Sequence, residues 1–92
     1  MSRCRQVRRD RIIHHFILRY RQRGIERFIG IETLLDEVEK LWLSGEYVED
    51  RPGVEGLRYR IPILVDGYKI VVIVEETCRC LLPITIWFEK IH

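Results

Sequence analysis

Asparagine and alanine are missing from this 92-residue chain and glutamine occurs only twice, whereas isoleucine and arginine each occur thirteen times. Scarcity of thermolabile amides beside abundant charge is compatible with a thermophile source. Long apolar runs are missing too. The longest, such as Ile70 to Val74, fall far short of the ~20 residues of a membrane span, and no signal-type apolar stretch follows the basic N-terminus. The expectation is a cytoplasmic protein without membrane contact. There is no glycine-rich phosphate loop, no metal-binding carboxylate pair with histidine, and no serine or cysteine nucleophile in a recognisable setting. Nucleotide-dependent enzymes and hydrolases of those kinds are therefore disfavoured, and no metal or cofactor is expected. Cysteine is scarce: Cys4, Cys78 and Cys80 form an odd set that cannot pair off completely, so no secreted disulfide framework is implied. The Cys-x-Cys pair lacks a second half at zinc-like spacing. Reduced thiols are expected, with a bridge from Cys4 to either partner open in a heat-adapted source.

What remains is enough for one small domain, 47% hydrophobic and 33% charged, of a size that buries roughly 60 to 65% of its unfolded surface. The charge is uneven. Residues 1 to 27 carry nine arginines against Asp10 and Glu26, a net charge of +7, and the other 65 residues carry a net charge of −5. One end is thus suited to phosphate or to an acidic protein partner, since arginine makes bidentate phosphate contacts. The alternative is a solvated arginine-rich helix with no ligand.

Apolar residues at Ile12, Ile13, Phe16, Ile17 and Tyr20 repeat as one face of a helix, predicted over 10–23 with Asp10 as N-cap and Gly24 as its stop. Residues 2–9 lack that face and are open to being a tail, a short strand or an extra helical turn. A second helix is predicted over 31–44, with Leu34, Leu35, Val38, Leu41 and Trp42 inward, an acidic outer face, and Gly45 closing it. Beyond Tyr47 the pattern becomes strand-like. Arg51, Pro52, Gly53 and Gly56 mark a loop; strands are predicted over 57–65, 68–75 and 81–89, with Asp66-Gly67 as a hairpin turn. Pro62 and Pro83 are expected at an edge, a bulge or a strand start. The unbroken apolar run of the middle strand marks it as central. The expected fold is α+β, two N-terminal helices packed on an antiparallel sheet of three to four strands.

The most informative stretch runs from His15 to Ile25. Positions i, i+4 and i+8 drift only about 80° around a helix, so His15, Arg19 and Arg23 share one stripe beside the apolar face. An imidazole and two guanidinium groups so placed can hold a phosphate; they can equally be exposed residues of a basic helix. His14 points elsewhere, Trp42 is assigned to the core, and Tyr59 and Tyr68 are assigned to packing.

The pattern His15-x3-Arg19-x3-Arg23-Gly24-Ile25, a following helix ending at Gly45, a hairpin, and a last strand containing Pro83-Ile84-Thr85-Ile86-Trp87 resemble a small domain family with the signature H-A-x-x-R-x-x-x-R-G-I. That family is similar to the BrnT and RelE/ParE toxins and to the barnase-, EndoU-, colicin- and RelE-like nuclease fold. The sequence departs from it in Phe16, where alanine is usual, in a longer connector after Glu26, and in lacking an evident strand before the first helix. The resemblance implies a toxin-like, metal-independent endoribonuclease or RNA-binding protein. Cleavage of this type uses the ribose 2′-hydroxyl as internal nucleophile and asks the protein for a proton acceptor, a proton donor and cations. His15 is then the candidate acid or base, imidazole being the side chain that ordinarily titrates nearest neutrality. Arg19 and Arg23 would stabilise developing charge, with Thr85 a hydrogen-bonding member of the site. Arg8, Arg9, Arg11 and Arg27 are candidate backbone contacts, and Trp87 could stack on a base. The alternatives are a non-catalytic nucleic-acid-binding module and a protein-interaction domain that docks an acidic antitoxin-like partner or a second copy of itself.

Overall fold

The computed structural model describes residues 6–9, 12–78 and 80–89. Helix α1 spans His14–Gln22, and a 3-10 turn follows at Ile25–Arg27; helix α2 spans Ile31–Leu43. The α1 start is later than the pattern predicts. Ile13 is still extended (φ −60°, ψ 131°), its carbonyl accepts the first helical bonds, and no side chain caps the end. Asp10, the expected cap, lies outside the described residues. Both helix ends match expectation: Gly24 (φ 68°) and Gly45 (φ 76°) take the left-handed conformation. At α2 the Glu46 N–H donates to the Leu41 carbonyl and the Gly45 N–H to that of Trp42, the pairing of a Schellman stop. The Tyr20 hydroxyl donates to the Ile29 carbonyl at 2.6 Å, tying the segment after the 3-10 turn to α1.

Four strands follow, β1 (Val48–Pro52), β2 (Leu57–Val65), β3 (Tyr68–Glu76) and β4 (Leu81–Glu89), in an antiparallel sheet ordered β1-β2-β3-β4. Arg51 and Pro52, read from sequence as loop, close β1. Asp66 (φ 48°) and Gly67 (φ 78°) form the two-residue turn between Val65 and Tyr68, both with the positive φ that this hairpin requires. The middle strand β3 is buried on both sides along Ile70–Val74, as its composition demands. Pro62 lies where β1 no longer pairs with β2, and Pro83 lies beside a bulge on the edge strand β4, so neither ring breaks a ladder bond.

That bulge decides which way β4 side chains point. Val74 pairs with Pro83 and Ile73 with Thr85, leaving Ile84 as the extra residue. The period-2 alternation therefore slips by one. Leu81 and Pro83 face the helices before the bulge, and Ile86 and Phe88 face them after it. Thr85 and Trp87 are turned to the open side of the sheet. The core lies between helices and sheet, built from Phe16, Tyr20, Leu34, Leu35, Val38, Ile61, Val72 and Ile86 among others. Trp42 belongs to it as expected, its ring 4.5 Å from Tyr47 and 5.0 Å from Tyr59.

Ahead of α1, Val7 makes an isolated parallel bridge to Leu81: the Arg8 N–H donates to Leu81 and the Leu81 N–H to Gln6, both at 2.9 Å. A rudimentary strand thus exists where the sequence displays none. It is held by α2, since the Val7 N–H donates to the Glu39 carboxylate at 2.9 Å.

Glu75 is the one buried charged side chain of the described residues. Its carboxylate accepts Arg58 Nε at 2.9 Å and the Val54 and Glu55 N–H groups at 3.2 and 2.9 Å, locking the β1–β2 turn onto β3. Burial pushes this carboxyl up, but the Arg58 guanidinium and the two amides outweigh it and hold the group below the ordinary range. The turn is packed closely. A Cβ on Gly56 would collide with the Glu76 carbonyl, backbone that cannot step aside. Gly56→Ala is expected to cost about 2 kcal/mol, a fall of roughly 8 to 16 °C in Tm on thermal melting. Cys78 is exposed and Cys80 buried, and neither is bonded to the other; Cys4 lies outside the described residues. No helix among the described residues is long and apolar enough to cross a membrane.

Candidate nucleic-acid interface

Helix α1 packs chiefly on β4, and α2 on β2. Phe16 and Tyr20 anchor the buried side of α1. With that side fixed, the 3.6-residue period places His15, Arg19 and Arg23 along its flank, at about 6 Å intervals of helix rise. His15 is exposed, Arg19 half-buried and Arg23 exposed. The Arg19 Nη1 donates to Gln22 Oε1 at 3.2 Å, which steadies the side chain without neutralising it. Arg23 reaches the sheet: its Nη1 donates to the Ile86 carbonyl on the outer edge of β4. One edge acceptor is satisfied, and the remaining guanidinium donors stay available. Arg27 is exposed at the end of the 3-10 turn, beyond the left-handed Gly24 that closes α1.

The cations on the open side of the sheet are paired differently. Arg58 is bound by Glu75, Arg60 Nε lies 3.2 Å from Asp50, and Lys69 lies 3.3 Å from Glu89. No carboxylate among the described residues pairs with Arg19, Arg21, Arg23 or Arg27. Two surfaces with similar numbers of cations therefore differ in charge. One is internally neutralised; the other is left positive, and its arginines near the α1 C-terminus also suit the helix dipole.

The structure separates several residues that the sequence groups together. Thr85 and Trp87 lie across the sheet from the α1 row because of the Ile84 bulge, and Trp87 is instead covered by Arg60, whose Cζ is 5.9 Å from the ring centroid. Arg9, expected to contact phosphate, is held by three α2 carboxylates, Glu32 at 2.6 Å, Asp36 at 2.7 Å and Glu39 at 3.3 Å. Its role here is to clamp the N-terminal segment on α2. Arg8 lines a cavity of about 290 Å³ with Ile12, Ile13, Glu55, Thr77, Cys80 and Leu82. Arg11 lies outside the described residues. His15, Arg19 and Arg23 are the members that share one flank of α1, with Arg27 exposed in the turn that follows.

Sequence reasoning missed a cluster at the end of that row. The rings of Phe28, Tyr68 and Phe88 meet with centroids 5.1 to 5.5 Å apart in tilted and edge-on contacts. The available signal is Phe28 directly after Arg27; the side taken by Phe88 depends on the bulge, which the sequence does not display. Comparison of the chain with family models, with curated proteins and with solved structures finds no significant match.

Proposed function

We propose that this protein binds RNA through the arginine row of α1 and its following turn, as a RelE-like, toxin-related domain. The observation that carries this reading is the contrast in pairing: Arg19 and Arg23 on one flank of α1, and Arg27 in the turn after it, have no carboxylate partners among the described residues, whereas the cations of the open sheet face are matched. Unneutralised guanidinium groups at helical intervals favour a polyanion with repeating charge. The relation to RelE-like domains is supported by the order of elements, two helices and then an antiparallel meander, and by the parallel Val7–Leu81 bridge, which supplies a pre-helix strand.

Cleavage is the second reading, favoured by the exposure of His15 one turn from Arg19. In such a reaction the 2′-hydroxyl loses a proton, its oxygen bonds to phosphorus, and the 5′-oxygen leaves with a proton. His15 can serve one transfer and the arginines the developing charge. Thr85 lies on the other face of the sheet, so binding is the primary assignment.

Filter retention of a labelled oligoribonucleotide, with an RNA integrity gel run alongside in chelator, tests both readings. With three to four phosphate contacts on a single strand, affinity is expected to fall roughly 20- to 50-fold between 50 and 200 mM salt. Absence of retention at 50 mM salt would remove the binding reading. Cleavage that persists in His15→Ala would remove the catalytic one.

A further inference from the structure

We infer that the Phe28–Tyr68–Phe88 cluster is a stacking site for an unpaired base, so that the RNA taken by the arginine row is single-stranded; this rests on the RNA-binding reading above. The cluster adjoins the row through two covalent connections. Phe28 directly follows Arg27, and Phe88 stands two residues beyond Ile86, whose carbonyl receives Arg23. A backbone tracking Arg19 and Arg23 is thereby led to aromatic rings on the same, helix-facing side of β4.

The cluster is built like a surface platform. Tyr68 is 43% exposed, and Phe28 and Phe88 are half-buried, with Phe88 packed against the core beneath. The interplanar angles of 55° to 78° mean that no ring is sandwiched by the other two. Tilted contacts hold Tyr68 against Phe28 and Phe88, which meet each other edge-on, and leave Tyr68 the most exposed of the three for a ligand. Aromatic faces beside a cationic groove recur where single strands are bound, because every base offers a π-face and stacking tolerates any sequence. A duplex keeps its bases stacked on one another and cannot use such a ring. Trp87 is poorly placed for the same task, being on the opposite side of β4 and under Arg60.

The test is fluorescence anisotropy with a labelled 12-nucleotide oligoadenylate and with a blunt 12-base-pair RNA duplex, using the unmodified protein, Tyr68→Ala, Tyr68→Leu and Tyr68→Phe. The unmodified protein is expected to bind the single strand more tightly than the duplex. Tyr68→Ala is expected to weaken single-strand binding about 10-fold, duplex binding less than about 2-fold, and Tyr68→Phe to restore the single-strand affinity. If the alanine variant melts early, Tyr68→Leu keeps apolar bulk against Phe28 and Phe88, and the same selective loss is expected of it. Equal losses on both ligands, or no loss on the single strand, would overturn the stacking site while leaving RNA binding intact. Failure of the unmodified protein to bind either RNA would instead overturn the reading beneath it.

Discussion

Replacing Glu75 by glutamine is expected to lower the unfolding free energy at pH 7 by about 2 to 3 kcal/mol. The carboxylate offers two acceptor oxygens to three donors, Arg58 Nε and the Val54 N–H on one oxygen and the Glu55 N–H on the other. An amide of the same size has one acceptor oxygen, and its NH2 would face a donor on the other side. Arg58 would lose its counter-charge, although its half-exposed side chain recovers some hydration. The pH dependence follows from the depressed carboxyl. A group whose folded pKa lies below its unfolded value, about 4.3 for glutamate, contributes stability that is present above the unfolded value and lost as pH falls through the folded one. Urea titrations should therefore separate the two proteins at pH 7 and bring them together in acid, as pH falls through the depressed Glu75 carboxyl. A constant difference across that range would mean that the Glu75 charge is not what holds the turn.

The second large effect concerns the row on α1. Arg19→Gln with Arg23→Gln is expected to weaken oligoribonucleotide binding roughly 10- to 100-fold at 50 mM salt, and to flatten the salt dependence by the two lost contacts. Glutamine keeps helix propensity and avoids acidic groups at the α1 C-terminus, so the fold is spared. The expected stability change is about 1 kcal/mol, from the Arg23 bond to the Ile86 carbonyl. Arg58→Gln is a poor control because it touches Glu75; Arg60→Gln is the better one, since Arg60 is matched by Asp50 on the open face, and it should bind RNA like the unmodified protein.

Much of this architecture is written in short-range signals. Gly24 and Gly45 stop the helices, Asp66-Gly67 sets the hairpin and its register, and the apolar run of β3 marks the central strand, because each rests on backbone geometry or burial that a few adjacent residues determine. The site was legible only where it lies on one helix. The spacing of His15, Arg19 and Arg23 survives folding because a regular helix conserves angles. Thr85 and Trp87 were read as partners of that row, yet one extra residue at Ile84 turns them to the other face, and an apolar-rich strand such as β4 gives no local sign of where its parity changes. Arg9 was read as a phosphate contact because its α2 partners lie 23 to 30 residues away in sequence. The burial of Glu75 is hidden for the same reason, as its donors Val54, Glu55 and Arg58 lie 17 to 21 residues earlier in the chain. The Val7 bridge depends on a single residue pair, too little for any periodicity to report.

RNA binding by the arginines of α1 is tested residue by residue in an NMR titration of backbone amides with a 12-nucleotide oligoribonucleotide, recorded at 50 mM salt. The largest shifts are expected on residues 15 to 28 and on Ile86 and Phe88, with α2 and the Arg58, Arg60 and Lys69 amides little changed. Shifts concentrated on the sheet face around Arg60, Thr85 and Trp87, or on the N-terminal segment near Arg8, would contradict binding by α1.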